Sequence, residues 1–355
     1  MSYQPSSLDH NQHESEATKD NESYAPRCAR LEIGNWPAQI PEGTLACELF
    51  ENQFGMEDLL AFDDTLLAHI ASGGYDQAID KLAISLKGAP DELVRRFEAQ
   101  IPANEQAKFA GVLQENVSDK DVEAARRHVL DRLFWELTYW KTPDLYEDLT
   151  EGECLHSEIF RQLEPDLRGK VALDAGAGTG RATFECLRYG AKLVYAAEPS
   201  PGLLCILNRK REQYPSPERI TPVQARFEAL PLPDGAIDLV ISCSAFTANE
   251  EAGGERGLAE FRRVAKKGGK IVIIWPRAQD YGWLAAHGFH YVALPDVQEK
   301  GIHFRSVHRA IECARHFYAR NPCVEQYIMR EHTPDVPYEI IGMNPPRDYC
   351  WLVVE

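Results

Sequence analysis

A glycine-rich segment near the middle of this 355-residue chain carries the clearest signal for chemistry. It reads Asp174-Ala175-Gly176-Ala177-Gly178-Thr179-Gly180-Arg181 and joins an apolar run to a helical pattern. Glycines let the backbone turn tightly and let a ligand approach without meeting a Cβ, and free N–H groups at a helix start favour a polar or anionic group. Taken alone, the segment predicts a site for a nucleotide-like ligand.

Two other types of glycine loop fit this segment less well. The dinucleotide fingerprint G-x-G-x-x-G needs a small residue where Arg181 stands. A phosphate-binding Walker loop needs Gly-Lys followed by Ser or Thr, whereas the chain has Gly180-Arg181-Ala182. A structural turn between a strand and a helix, with no ligand, is the remaining alternative.

Short β-branched runs alternate with helical patterns from Gly169 onward. We expect strands at 170–176, 192–198, 220–225, 237–242 and 270–275, with weaker strand patterns at 289–294 and 349–354. Four of the first five runs are mainly apolar, which is typical of strands that helices cover on both faces. The alternation predicts an α/β fold with a doubly wound, mainly parallel sheet.

Four ordered elements between about residues 168 and 275 resemble the class I S-adenosylmethionine (SAM)-dependent methyltransferases. They are VALDAGAGTGRAT, VYAAEPS, ARFEALPLPDGAIDLVIS and LAEFRRVAKKGGKIVIIW, the last being a helix, a Lys-Lys-Gly-Gly turn and the fifth strand. The resemblance implies a Rossmann-like, seven-stranded sheet and SAM as the cofactor. It also implies that Asp174, Gly176, Gly178 and Gly180 border the methionine moiety of SAM.

The resemblance implies further cofactor-binding residues beyond the glycine loop. Glu198 lies 24 residues after Asp174, where the family places an acid whose two oxygens accept both ribose hydroxyls. Arg226 and Phe227 stand where relatives flank adenine. Many relatives have Asp at the position of Arg226, where it accepts from the adenine amino group; Arg cannot accept, but the Phe227 N–H can serve adenine. Ser242, at the end of the fourth strand, is the last of the expected cofactor-binding residues.

The chemistry of methyl transfer demands few catalytic groups. The acceptor must be held in line and dry, with a base where the nucleophile carries a proton. Tyr146, similar to a lid tyrosine that relatives carry before the core, and His156, as a base, are the candidate catalytic residues. Packing roles are the alternative for both. Further acceptor-site candidates are Trp135, Tyr139, Trp140, Phe246 and Glu250.

Three parts are predicted along the chain. Residues 1–25 are polar and acidic, which predicts a disordered tail. Residues 26–165 carry helical stripes, including a helix that Ser118 caps, and predict a mostly helical N-terminal cap. Residues 166–355 predict the SAM-binding domain, with a variable insert at about 276–345.

Composition limits the kinds of partner and the cellular compartment that we expect. With 38 Lys and Arg against 55 Asp and Glu, the net charge of −17 disfavours nucleic acid and anionic membranes. The chain lacks an apolar run of membrane-spanning length, and its start lacks the order of a secretory signal. Nine cysteines without a Cys-x-x-Cys pair are typical of a reducing compartment. We therefore expect a cytoplasmic protein without a metal site, membrane partner or nucleic-acid partner.

The expected function is methyl transfer from SAM to a small-molecule acceptor. The acceptor pocket is expected between the helical cap and the carboxyl ends of the strands. A SAM-binding sensor or scaffold without catalysis, and a protein methyltransferase, are the alternatives. A nicotinamide-dependent oxidoreductase shares only the topology.

Overall fold

A seven-stranded sheet forms the centre of the fold in the computed structural model, which describes residues 49–294 and 301–355. The strands are β1 (Val171–Ala175), β2 (Leu193–Ala197), β3 (Ile220–Val223), β4 (Ile237–Cys243), β5 (Ala265–Ile274), β6 (His290–Ala293), β7 (Gly301–His303), β8 (Asp335–Pro337) and β9 (Asp348–Val353). The order in the main sheet is β3-β2-β1-β4-β5-β9-β6, and β7 pairs with β8 in a separate sheet. Only β9 of the main sheet runs antiparallel to its neighbours. The predicted doubly wound, mainly parallel sheet is confirmed.

The fifth strand differs from its prediction. The predicted Lys-Lys-Gly-Gly turn at 266–269 lies inside β5, where it forms an irregularity in the pairing with β4. Ala265 opposes Ile237, but the next pair joins Lys270 to Leu239, so the extra residues bulge out of the ladder. The sequence pattern marked the apolar part of the strand and missed its polar beginning.

Fifteen α-helices surround the sheet in the described part of the chain. They are α1 (Asp64–Ala71), α2 (Ile79–Ser85), α3 (Asp91–Gln100), α4 (Gln106–Gln114), α5 (Asp119–Arg132), α6 (Phe134–Lys141), α7 (Pro143–Gly152), α8 (Ser157–Leu167), α9 (Arg181–Arg188), α10 (Pro201–Glu212), α11 (Gly254–Val264), α12 (Tyr281–Ala286), α13 (Val307–Phe317), α14 (Pro322–Glu331) and α15 (Tyr338–Ile341). The predicted cap of α5 is confirmed, since the Ser118 side chain accepts a hydrogen bond from the Asp121 N–H at 3.2 Å. None of these helices combines the length and apolarity that crossing a membrane requires.

Helices cover the sheet on both faces. On one face Phe160 of α8 and Leu187 of α9 pack with Ile241 of β4. On the other face Phe261 of α11 packs with Val240. Each fully buried side chain of this size contributes about 1.5–3 kcal/mol through removal of apolar surface from water. The predicted tail at 1–25 and the beginning of the predicted cap lie outside the described residues.

The cap and the C-terminal insert are packed together. The helices α1 to α5 have a core of their own, whereas α6 and α7 contribute Phe134 and Leu149 to a core with Phe304 and Phe317 of the insert. A Cβ added at Gly152, the last residue of α7, would lie 2.7 Å from the His303 carbonyl oxygen. The insert therefore packs against the C-terminal end of α7.

Candidate active site

The strand order changes direction between β1 and β4, which are neighbours in the sheet. In open α/β sheets, ligands bind in the crevice outside the carboxyl ends of the strands at such a point. The glycine-rich loop follows β1 here, Glu198 follows β2 and Ser244 follows β4. The topology thus brings together residues that are distant in sequence. Gly176 and Ser244, for example, are 68 positions apart.

The backbone of the glycine-rich loop requires glycine. Gly176, Gly178 and Gly180 have φ of +73°, +55° and +99°, in the left-handed region that other residues disfavour. A Cβ at Gly176 would lie 2.5 Å from the Ala245 Cβ, and a Cβ at Gly178 would lie 3.5 Å from the Tyr146 ring. The loop is therefore packed against the end of β4 and beneath α7.

Two buried carboxylates flank the loop. Asp174 Oδ2 accepts from the Thr183 hydroxyl at 2.6 Å, while its Oδ1 has no hydrogen-bond partner among the described residues. Glu198 accepts from the Gly178 N–H at 3.0 Å and from the Ser200 N–H at 2.8 Å. Burial raises the pKa of Asp174 to about 6 and that of Glu198 to about 7. The pair suits a ligand that carries hydroxyl or ammonium donors.

The cap reaches the site beside β3. Arg226 donates to the Tyr75 hydroxyl at 3.5 Å, and that hydroxyl donates to Glu136 Oε1 at 2.7 Å. Phe227 packs instead towards the sheet, with its ring centroid 5.8 Å from that of Phe246. Arg226 is thus a link between the core and the cap.

An ion pair lies at the end of β4. Arg181, the first residue of α9, donates to Glu153 Oε2 at 2.9 Å and to Ser244 Oγ at 3.2 Å. The side chains of Arg181 and Glu153 are only 17% and 7% exposed. Ser244 and Trp275, which follow β4 and β5, have φ of +58° and +53°. Non-glycine residues held in this region store backbone strain and cluster at functional sites.

His156, the expected base, serves a structural purpose. It is the N-cap of α8, and its Nδ1 accepts from the Glu158 N–H at 3.2 Å. A ring nitrogen that accepts this bond is engaged in holding the start of the helix. Glu153, three residues before His156, is also buried, and its carboxylate lies beside Arg181.

Ser242, expected to bind the cofactor, is fully buried. Its hydroxyl donates to the Ala175 carbonyl at 2.7 Å and accepts from the Phe246 N–H at 3.2 Å. These two bonds tie the end of β1 to the loop after β4. The side-chain hydroxyl of Ser242 therefore holds two neighbouring strand ends together beneath the site, and cofactor binding at Ser242 stays a prediction.

The remaining acceptor-site candidates lie in three different places. Three aromatic residues pack within apolar cores: Trp135, Trp140 and Phe246. Glu250 accepts from the Glu255 N–H beside the start of α11. Tyr139 and Tyr146 face each other edge to face, with ring centroids 4.8 Å apart, next to the glycine-rich loop. Among the acceptor-site candidates, these two tyrosines are the ones that the structure brings to the loop.

The sequence analysis missed four residues at the site. Tyr75, Glu136 and Glu153 come from the cap, and Arg181 was considered only as a mismatch to a dinucleotide fingerprint. Contacts between side chains so far apart in the chain leave no local periodicity. The Gly-Gly-Tyr-Asp turn that holds Tyr75 is the one signal that pointed to an unusual backbone.

Comparisons with known proteins agree with this geometry. The family described as "Methyltransferase domain" matches residues 173–273. An uncharacterized methyltransferase of Geobacillus sp. (strain WCH70) is 30% identical over 184 residues, which is 49% of this chain and 78% of the relative. The chain belongs to the class I SAM-dependent methyltransferases. SAM is accordingly the cofactor of this methyltransferase.

The further matches include a second relative and two solved structures. An uncharacterized methyltransferase of Geobacillus thermodenitrificans (strain NG80-2) is 35% identical over 39% of this chain and 62% of its own length. A SAM-dependent methyltransferase structure from Mesorhizobium loti is 25% identical over 33% of this chain and 51% of that one, with a TM-score of 0.29. A SAM-dependent methyltransferase structure from Aquifex aeolicus is 19% identical over 43% of this chain and 93% of that one, with a TM-score of 0.36.

The residues at the switch point fit SAM. The cofactor offers ribose hydroxyls and an ammonium group, and the site offers the Glu198 carboxylate and the unpartnered Asp174 Oδ1. Its sulfonium is cationic, which buried carboxylates also favour. The glycine-rich loop lets the backbone approach such a ligand without an intervening Cβ.

Proposed function

We propose that this methyltransferase acts on a small-molecule acceptor bound between α7 and the carboxyl ends of β4 and β5. The observation that carries the proposal is the position of α7. Tyr146 of this helix lies over Gly178, and Leu149, three residues later, packs in one core with Phe304 of the insert. A sheet edge enclosed in this way favours a small acceptor over a folded protein.

The cofactor-binding residues are also part of the proposal. Asp174 and the backbone at Gly176, Gly178 and Gly180 border the methionine moiety. Glu198 accepts the ribose hydroxyls, since each of its oxygens has a further lone pair beyond the backbone bond that it receives. Arg226 and Phe227 lie at the adenine end.

The surrounding residues prepare the acceptor side. Bound SAM would supply a methyl group on a sulfonium, whose sulfur leaves as the neutral thioether of S-adenosylhomocysteine. Tyr146 and Tyr139 exclude water from the loop, and burial raises the pKa of both phenols above its ordinary value. The Arg181–Glu153 pair fixes the end of α7 to the start of α9. These groups hold and shield the reactants, which is the main requirement of this chemistry.

Charge at this edge supports the choice of acceptor. The cations on and around α7 are paired with carboxylates: Arg181 with Glu153, Lys210 with Glu147 and Arg309 with Asp148. Paired cations attract a polyanion weakly, so nucleic acid is a poor acceptor. A cytoplasmic location is part of the same proposal, because nine cysteines without a Cys-x-x-Cys pair are typical of a reducing compartment.

Calorimetric titration with SAM and with S-adenosylhomocysteine tests the cofactor site. We expect micromolar binding to the wild type and binding about a hundredfold weaker, roughly 2.7 kcal/mol, to Glu198→Ala. Unchanged affinity in the variant would overturn the assignment of Glu198.

Methyl-labelled SAM in a cell extract tests the acceptor. The extract is separated after incubation into a small-molecule filtrate and a protein fraction, with Glu198→Ala as the control. Enzyme-dependent label in the filtrate supports the proposal. Label on protein supports the protein methyltransferase instead, and binding of SAM without transfer supports a sensor.

A further inference from the structure

A network of side chains from the cap lies at the adenine end of the proposed cofactor site. Tyr75 joins Arg226 of the core to Glu136 of α6 through its hydroxyl, which accepts from the former and donates to the latter. Tyr75 has φ of +58°, a conformation that costs energy for a residue with a Cβ. In this strained backbone conformation, the Tyr75 phenol lies between a cation and a carboxylate.

The same helix, α6, touches the ribose end. The Tyr139 carbonyl, three residues after Glu136, accepts from the Ser200 hydroxyl at 3.2 Å, and the Ser200 N–H donates to Glu198. The negative charge of Glu136 contributes to the raised pKa of Glu198, after the larger effect of burial. Glu136 therefore faces the region between the ends of β2 and β3.

The Arg226 side chain, at the proposed adenine end, offers no acceptor for an amino group. Arg226 stands where an acceptor is expected, and a guanidinium carries only donors. The Glu136 carboxylate has the required chemistry, because the bond from Tyr75 engages Oε1 and an oxygen remains to accept from a ligand. Arg226 also favours the ionised form of Glu136, while burial raises the pKa of that carboxyl.

We propose that Glu136 accepts the hydrogen bond from the exocyclic amino group of adenine, so that the cap completes the cofactor site. The inference rests on the proposed SAM site. It makes the cap a determinant of cofactor specificity, which selects an amino purine over an oxo purine. Tyr75 and Arg226 act as positioning residues that orient the carboxylate.

Comparing two ligands tests the role of Glu136. S-inosylhomocysteine carries an oxo group in place of the amino group of S-adenosylhomocysteine, and a hydrogen on N1. We expect the wild type to bind the adenosyl ligand at least about tenfold more tightly, because a hydrogen bond to a charged acceptor is lost and two acceptors then face each other. In Glu136→Leu this preference should disappear, whereas in Glu136→Gln, which keeps a carbonyl oxygen, part of it should remain.

A matched control separates recognition from packing of the cap. Arg209 of α10 pairs with Asp144 of α7 at 3.4 Å, also between core and cap. Arg209→Met breaks this contact, and we expect it to leave the preference between the two ligands unchanged. Glu136→Asp, which keeps the charge and shortens the side chain, serves if Glu136→Leu does not fold, and it should lower the preference.

Several results would overturn the inference. A wild type without preference, or variants at position 136 that weaken both ligands equally, would show that Glu136 only joins the cap to the core. Failure of the wild type to bind either ligand would instead overturn the proposed function. The ratio of the two affinities therefore tests the further inference separately.

Discussion

The Tyr146 ring lies directly over Gly178, so that a Cβ on this glycine would be 3.5 Å from Cε1 and 3.8 Å from Oη of the tyrosine. One turn further along α7, the Thr150 hydroxyl lies 3.4 Å from that of Thr179 in the same loop. The cap helix and the glycine-rich loop therefore pack as one unit. A change in the loop backbone will be transmitted to the residues that cover the acceptor side.

The Gly178→Ala substitution should separate ligand binding from stability. Its left-handed backbone disfavours a Cβ by about 1–2 kcal/mol, and the added methyl group lies between the loop and Tyr146. Gly169→Ala is the matched control, since Gly169 has φ of +72° and nothing within 4 Å of an added Cβ. We expect similar losses of unfolding free energy in urea, but weaker SAM binding by calorimetry, by about tenfold, only in Gly178→Ala. Equal affinities of the two variants would contradict the position given to this loop.

Affinity for SAM should rise with pH between about 6 and 8. Burial raises the pKa of Glu198 to about 7, so the free protein holds a proton there below this pH, and the carboxylate form accepts two hydroxyl donors better. For one such group the affinity at pH 6 should be about tenfold weaker than at pH 8. Calorimetry in buffers of different ionisation enthalpy should detect proton release on binding.

Two further observations check the role of Glu198 in this pH dependence. Glu198→Gln should show a nearly flat affinity over the same range, and a slope equal to that of the wild type would exclude Glu198 as its cause. The stability of the ligand-free protein should change in the opposite direction. A carboxyl whose pKa is raised by folding contributes stability below its ordinary pKa and loses it as the pH rises through about 7.

The Arg181–Glu153 pair should show strong coupling in a double-mutant cycle. Both side chains are largely buried, so removing one partner leaves an uncompensated charge and costs about 3–5 kcal/mol. Arg181→Met alone should therefore lower the unfolding free energy in urea more than the double variant Arg181→Met with Glu153→Leu. Additive effects of the two single substitutions would indicate a pair without structural consequence.

The sequence predicted the parts of the fold that local patterns determine. Apolar runs marked β1 to β4 closely, and the Ser118 cap marked the start of α5, because burial and capping act over a few neighbouring residues. The placement of Glu136 beside Arg226 depends on the packing of the cap, ninety residues away in sequence. Such contacts depend on tertiary packing, so the spacing of residues in a motif does not predict them.

The site shows the same division. Asp174 and Glu198 lie at strand ends that topology alone brings to one crevice, so they were predictable from the order of elements. The residue type of His156 suggested a base, but the conformation of the chain at the start of α8 turns its ring towards the backbone. Its Nδ1 atom caps α8, while a catalytic role of His156 as a base stays a prediction.

Substituting His156 distinguishes these two roles. Loss of an N-cap side chain costs about 1 kcal/mol, whereas Asn is a favourable N-cap residue. His156→Ala should therefore lower the unfolding free energy by about this amount, and His156→Asn should largely restore it. With the acceptor found in the filtrate experiment, kcat of His156→Asn should stay within about twofold of the wild type, because general-base catalysis contributes 10²–10⁴-fold and Asn cannot take up a proton. A variant that is as stable as the wild type but has lost two or more orders of magnitude in kcat would return His156 to the role of base.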